Sequence, residues 1–270
     1  MLMASDAEPL LLRADRDGVR TLTLNRPARK NAISPALWRQ LRDALRDAAD
    51  DRDLRALVIT GAGGAFCSGA DIGTPDEVHP AEKLRRLSDV ALALHELAVP
   101  TVAKVNGVAV GAGWNLALGC DLVVATPESR FCQIFAKRGL SLDLAGSWLL
   151  PKLVGLQQAK RLALLADTID AAEAQALNLV TWVVGAGEID GFVDDLADRL
   201  AAGPPRALAQ TKALLNQGAD ATLAEALANE TRAQIANFAG TDAAEAYAAF
   251  AEKRPARFTG GWLPTSRRSE

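Results

Sequence analysis

Apolar and polar residues alternate over Leu10–Ala14 and again over Val19–Leu24, with the turn sequence Asp15-Arg16-Asp17-Gly18 between them, which predicts a β-hairpin. Residues 25–31, NRPARKN, break the pattern as a loop. Ser34-Pro35 then supplies an N-cap and a first-turn proline, after which Leu37, Leu41 and Leu45 recur at helical spacing to about Asp50. Residues 55–61, RALVITG, read as a short buried strand that runs into a glycine-rich loop, Gly61 to Gly69. A helix from about Pro80 to Leu97 precedes Pro100 and the strand TVAKV at 101–105. Beyond it come the loop Asn106-Gly107, a small-residue run at 111–113, an apolar helix to about Gly119 and the strand DLVVA at 121–125. From about Gly146 onward the strand signal fades. Ala-rich helical patterns follow one another to about Lys253, and Leu179–Val184 is the one strand candidate among them. The alternation predicts an α/β core followed by a helical C-terminal part.

Composition narrows the class of partner. Of 270 residues, 49% are hydrophobic and 23% charged, enough for a sizeable core and unlike a disordered or fibrous chain. The 30 basic and 33 acidic residues leave a net charge of −3, so neither a nucleic-acid nor an anionic-membrane footprint is expected, although a local basic cluster can still hold a phosphorylated small molecule. No apolar run reaches about 18 residues, so no membrane insertion is expected. The two histidines, His79 and His95, and the three cysteines, Cys67, Cys120 and Cys132, form no HExxH or CxxC spacing, so no metal site is expected. An odd number of cysteines inside apolar runs fits free thiols. With no basic n-region at the start, the expected location is cytoplasmic.

The chemistry-bearing features are two glycine-bearing loops, each where a strand hands over to a helix. The first is Phe66-Cys67-Ser68-Gly69-Ala70-Asp71-Ile72, and the second runs from Asn106 through Gly111-Ala112-Gly113. Small residues permit close backbone approach, and free N–H groups there can hold an anion or a developing oxyanion. Tight turns and helix packing would use the same residues. Neither loop matches GxxxxGK[ST], which speaks against nucleotide hydrolysis.

Six strings in order resemble the crotonase superfamily, the enoyl-CoA hydratase/isomerase family: LNRPARKNAIS at 24–34, AFCSGADI at 65–72, PTVAKVNGVAVGAG at 100–113, CDLVVATPESRF at 120–131, GLSLDLAGSWLLPKLVG at 139–155 and AFAEKRPARF at 249–258. The resemblance implies a spiral of ββα units over residues 1–203. It implies a helical segment at 204–270 that packs on the core and on neighbouring subunits, giving a homotrimer or hexamer. It further implies an acyl-CoA thioester substrate, with coenzyme A as part of the substrate and no separate cofactor. By position, the two main-chain donors to the thioester oxygen fall at Ala70 and Ala112. CoA contacts fall at Arg29, Lys30, Asp71 and Ile72, and at Phe250 and Lys253 from the C-terminal helix, reaching across a subunit interface. Solvated surface charge is the competing reading of the three basic residues, and capping of the following helix that of Asp71.

The two glutamates that family hydratases use to position and activate water would fall at Asn115 and Phe135. Asn cannot take a proton at neutral pH, and Phe offers no polar group. The carboxylate in a promising place is Asp143, whose apolar neighbours Leu142 and Leu144 would raise its pKa toward a general base's range. Several isomerase branches of the family place an acid/base Asp at a similar position. The alternative is that Asp143 caps the helix beginning near Ala145. A lone base beside a wall of Phe135, Trp114 and Trp148, with Asn115 also at the substrate, suits double-bond or ring isomerisation of an enoyl-CoA. A weak hydratase and a non-catalytic acyl-CoA-binding protein are the alternatives.

Overall fold

A computed structural model describes residues 9–71 and 78–263. The opening hairpin pairs β1 (Leu11–Arg16) with β2 (Val19–Leu24) around a tight turn at Asp17-Gly18, both with positive φ. Ser34 caps α1 (Pro35–Asp50), its Oγ accepting from the Leu37 N–H at 3.3 Å, and Pro35 at the first position gives up an amide that has no helical partner anyway. The chain then forms β3 (Ala56–Gly61), α2 (Pro80–His95), β4 (Thr101–Val105), β5 (Val108–Val110), α3 (Ala112–Leu118), β6 (Leu122–Ala125) and β7 (Arg130–Cys132). It continues as α4 (Gly146–Leu165), broken at Gly155, then β8 (Thr168–Asp170), α5 (Ala171–Ala176), β9 (Trp182–Val183), α6 (Ile189–Ala201), α7 (Pro205–Gly218), α8 (Leu223–Phe238) and α9 (Thr241–Glu252).

The larger sheet has the order β1-β2-β3-β4-β6-β9, with every pairing after the hairpin parallel. β3, inside this sheet, is covered on both faces, which is why it is buried along its whole length rather than alternating, whereas the edge strand β1 stays largely exposed. Val19, Val58, Val102 and Val124 meet Ile189, Val193 and Leu196 of α6. Their neighbours Leu57, Ile59, Ala103 and Val123 point to the opposite side, into a core shared with α1, α2 and α3.

The second sheet, β5-β7-β8, is the part the sequence pattern did not reveal. Each strand has three residues, too few to display a period of two, and β8 exposes both residues that flank Ile169. Residues 108–110, expected as loop, are therefore a strand, and it carries the second glycine-bearing loop.

All seven residues of α3 are buried. Its glycine is what lets it sit there: a Cβ on Gly113 would lie 2.5 Å from the Cys67 carbonyl oxygen and 2.7 Å from the Cys67 Sγ. At the other end of the chain the situation reverses. α7 and α8 bury no residue, and Leu215, Leu223, Leu227, Ile235 and Phe238 stand exposed. No helix among the described residues is long and apolar enough to cross a membrane.

Candidate active site

The first loop is held by a buried asparagine. Asn31 donates from Nδ2 to the carbonyls of Ala62 at 2.9 Å and Ala65 at 2.7 Å, while its Oδ1 accepts from the Arg26 N–H at 2.9 Å. The loop then lies along β5: the Phe66 and Cys67 amides donate to the Val108 carbonyl, and the Val110 amide returns to Cys67 O at 2.9 Å. Gly69 has φ +94, and a Cβ there would stand 2.9 Å from Val110 O and 3.8 Å from the Ala112 nitrogen, so the two loops meet at this glycine. On either side of Ala70, the Gly69 carbonyl accepts from Ile33 and the Asp71 amide donates to Ile33. The Ala70 N–H between them has no acceptor among the described residues, and neither has the Ala112 N–H at the start of α3.

Both alanines line one cavity of about 430 Å³, together with Arg29, Asp71, Phe135, Arg138 and Asp143. Asp71 pairs with Arg26 at 2.8 Å, so its carboxylate has a guanidinium partner. Asp143 differs: its Oδ1 is buried with no hydrogen-bond partner among the described residues, and burial pushes its carboxyl up to about 6, outweighing the opposing pull of Lys83. Capping does not occupy it. α4 begins after Ala145 in the left-handed region, and no side chain caps that end.

A second, apolar cavity of about 290 Å³ lies between α2, α3 and the start of α4, lined by Val90, Leu94, His95, Leu116, Leu144 and Trp148 among others. His95 meets Trp148 edge-on at 5.1 Å. Asp143 faces the first cavity while Leu144 and Ala145 face the second, so one short turn divides them.

The whole chain compares with known proteins as follows. The family model described as enoyl-CoA hydratase/isomerase matches residues 14–261. The chain belongs to the enoyl-CoA hydratase/isomerase family. It is 36% identical over 250 residues to 1,2-epoxyphenylacetyl-CoA isomerase of Escherichia coli K12, covering 90% of this chain and 95% of that protein. It is 32% identical over 240 residues to the short-chain-enoyl-CoA hydratase of Clostridium acetobutylicum, covering 87% and 92%. Among solved structures, enoyl-CoA hydratase from Mycobacterium smegmatis superposes with a TM-score of 0.87 at 34% identity, covering 93% of this chain and 99% of that one. The fold is accordingly the crotonase fold, and the chain is an enzyme of this family.

Within this family frame the expected residues divide. Ala70, Ala112, Asp71, Phe135, Asp143 and Arg29 share the first cavity. Three of the expected residues stand outside the first cavity. Trp114 lines neither cavity: it is wholly buried in α3 and stacks on Phe131 at 5.4 Å, because a helix with no exposed face turns its large side chain into the core. Asn115 lines the second cavity, but both ends of its amide bond to protein groups, Nδ2 to the Asp143 carbonyl and Oδ1 to the Gln133 amide. Trp148 walls the second cavity and not the first. Lys30 is exposed with φ +48 and contributes its carbonyl to the Ser68 amide, and its side chain lines no part of the first cavity. Phe250 and Lys253 stand exposed at the end of α9, outside that cavity within one chain. Ile72 lies outside the described residues.

Sequence reasoning missed Asn31, Gln133 and Arg138. Gln133 had a signal, a polar residue in the apolar run FCQIF; its Nε2 finds a partner in Asn115, while its Oε1 is buried with none among the described residues. Cys67, beside the first loop, is fully buried with its thiol pushed up to about 12 by desolvation, which makes it a filler of space and not a nucleophile. No group of three His, Cys, Asp or Glu among the described residues is placed to hold a metal ion.

Proposed function

We propose that this protein isomerises an enoyl-CoA thioester, moving a double bond or opening a strained ring, with Asp143 as the acid/base and the Ala70 and Ala112 amides as the oxyanion donors. The observation that carries this reading is the unpartnered, pKa-raised Asp143 carboxyl in the same cavity as two main-chain N–H groups without acceptors. In the forward step Asp143 takes a proton from the carbon α or γ to the thioester, and the electron pair moves onto the thioester oxygen. The two amides hold that oxyanion without reorganising. Asp143 then returns the proton two carbons away, so nothing is gained or lost and one base suffices. Phe135 gives the dienolate an apolar wall and no second acid.

Arg29 at the cavity rim, with Lys30 beside it, suits the phosphates of coenzyme A, and no other cofactor enters the reaction. The exposed apolar faces of α7 and α8 support self-association as a homotrimer or hexamer, in which Phe250 and Lys253 of a neighbouring copy would approach the CoA end.

A second reading, hydration with Asp143 alone activating water, draws support from the hydratase name of the Clostridium relative. The test is a panel of 3-enoyl-, 2-enoyl- and aromatic epoxide CoA thioesters with products identified by mass and chromatography. Isomerisation of a panel member, abolished in Asp143→Asn with CoA-ester binding kept, is the expected result. A 3-hydroxyacyl-CoA product would favour hydration, and turnover undiminished in Asp143→Asn would overturn the assignment of the base. Binding without turnover of any thioester would make the protein an acyl-CoA-binding member of its family.

A further inference from the structure

We infer that Gln133 and Asn115 are positioning residues that hold Asp143 in the first cavity by gripping its main chain and leaving its carboxylate untouched. The inference rests on Asp143 being the acid/base and adds what keeps that base in place. Gln133 and Asn115 are both buried, at 0% and 1% exposure. Gln133 Nε2 donates to Asn115 Oδ1 at 2.8 Å, and Asn115 Nδ2 donates to the Asp143 carbonyl at 2.8 Å. The Gly146 amide donates to the same carbonyl at 2.9 Å, so both of its lone pairs are engaged.

The direction of this relay is dictated from its end. A carbonyl can only accept, so Asn115 must turn its NH₂ toward Asp143 and its oxygen away, and the residue that meets that oxygen must donate. Gln133 fits that need; an apolar residue of its size would leave the Asn115 oxygen buried without a partner. Gly146 completes the device, since a Cβ there would lie 2.3 Å from Asn115 Nδ2.

Something must hold this turn, because Leu144 and Ala145 are consecutive left-handed residues, φ +46 and +61. Non-glycine residues in that region persist where their surroundings over-determine them. The grip also falls on the useful atom. A donor aimed at the carboxylate would stabilise its charged form and weaken the base. A donor aimed at the carbonyl fixes the position of Asp143 and leaves Oδ1 free of partners.

The experiment uses the full chain with Gln133→Met, which removes the donor at similar volume, and Asn115→Asp, which keeps the shape and replaces the donor by an acceptor. Amide hydrogen exchange is followed at residues 143–146. The Asp143 carboxyl is titrated by infrared difference against Asp143→Asn. Steady-state kinetics use the thioester that the panel shows to turn over fastest. In Gln133→Met the Gly146 amide, which donates to the Asp143 carbonyl, is expected to exchange at least tenfold faster, and kcat to fall about tenfold or more with KM within twofold, as befits a displaced base. In Asn115→Asp, which serves also if Gln133→Met folds poorly, a second carboxyl behind Asp143 is expected to move its titration midpoint upward, a change that loss of packing would not produce. Exchange at wild-type rates in Gln133→Met, or an unmoved midpoint in Asn115→Asp, would overturn the inference. Turnover retained in Asp143→Asn would instead overturn the acid/base reading, and the exchange result would still decide whether the relay holds the turn.

Discussion

Arg26 and Asp71 form an ion pair at 2.8 Å beside the Ala70 amide, both side chains being largely buried. Arg26 also donates to the Ala32 carbonyl, so one guanidinium ties the NRPARKN loop to the first glycine-bearing loop. Removing the guanidinium takes away this buried ion pair and the tie to Ala32 together. Arg26→Met is expected to destabilise the fold by about 2 kcal/mol, somewhat less than for a fully buried pair because Arg26 keeps some solvent access. Urea unfolding measures this, and the same variant should lose turnover more steeply than it loses CoA-ester binding, because the Ala70 donor moves with the loop. Wild-type stability and turnover together would show that the pair does not hold the loop.

The pH dependence follows from Asp143, whose carboxyl is pushed from 3.8 to about 6 by burial. Below pH 3.8 the group is protonated in both the folded and unfolded chain, and it adds nothing to the difference between them. As pH rises from there toward 6, the unfolded chain releases this proton while the folded chain keeps it, so stability declines, by at most about 3 kcal/mol. Above about pH 6 the loss is complete. Asp143→Asn is therefore expected to be more stable than wild type at pH 7–8 and equal to it near pH 3.5, which thermal unfolding across pH would reveal. Activity has the opposite sign: kcat/KM should rise through a midpoint near pH 6 as the base ionises and then level. A flat profile from pH 5 to 7 would exclude Asp143 as the titrating base.

Much of this arrangement was legible from residues alone, and the gaps have a common cause. Ser34-Pro35, the Leu37/Leu41/Leu45 spacing and the apolar run at 56–61 each state their element locally, and the structure follows them. The ordered strings around Ala70, Ala112 and Asp143 brought three residues of one cavity together. The second sheet was invisible because three-residue strands exist through pairing with distant segments, not through any pattern of their own. That Trp114 and Asn115 stand outside the first cavity has a related cause. Position beside a motif says nothing of which way a fully buried helix turns each side chain, and that is settled by packing against Phe131 and Gln133.

Two glycines test the close approach of the loops. Gly113→Ala would force a Cβ against the Cys67 carbonyl and Sγ, both fixed parts of the first loop, so about 1–3 kcal/mol of destabilisation and a loss of turnover are expected. Gly191 in α6 has open space around the corresponding position. There Gly191→Ala should stabilise by roughly 0.5–1 kcal/mol through helix propensity with turnover unchanged. Equal effects of the two substitutions on melting temperature would mean that the contact between the loops is not tight.

The C-terminal helices give the last prediction. An exposed Leu, Ile or Phe taken singly is ordinary, but Leu215, Leu223, Leu227, Ile235 and Phe238 gather on α7 and α8, neighbouring helices that bury no residue within the chain. If another copy covers this surface, a charge placed there must be desolvated on assembly, which costs several kcal/mol per ion. Ile235→Glu is then expected to shift the protein from an oligomer toward monomer in light scattering. Turnover should fall with it where Lys253 of a neighbour completes the CoA site, seen as a rise in KM larger than the fall in kcat. An unchanged mass in Ile235→Glu would place any assembly on a different surface, and a monomeric wild type would remove the neighbouring copy from the site altogether.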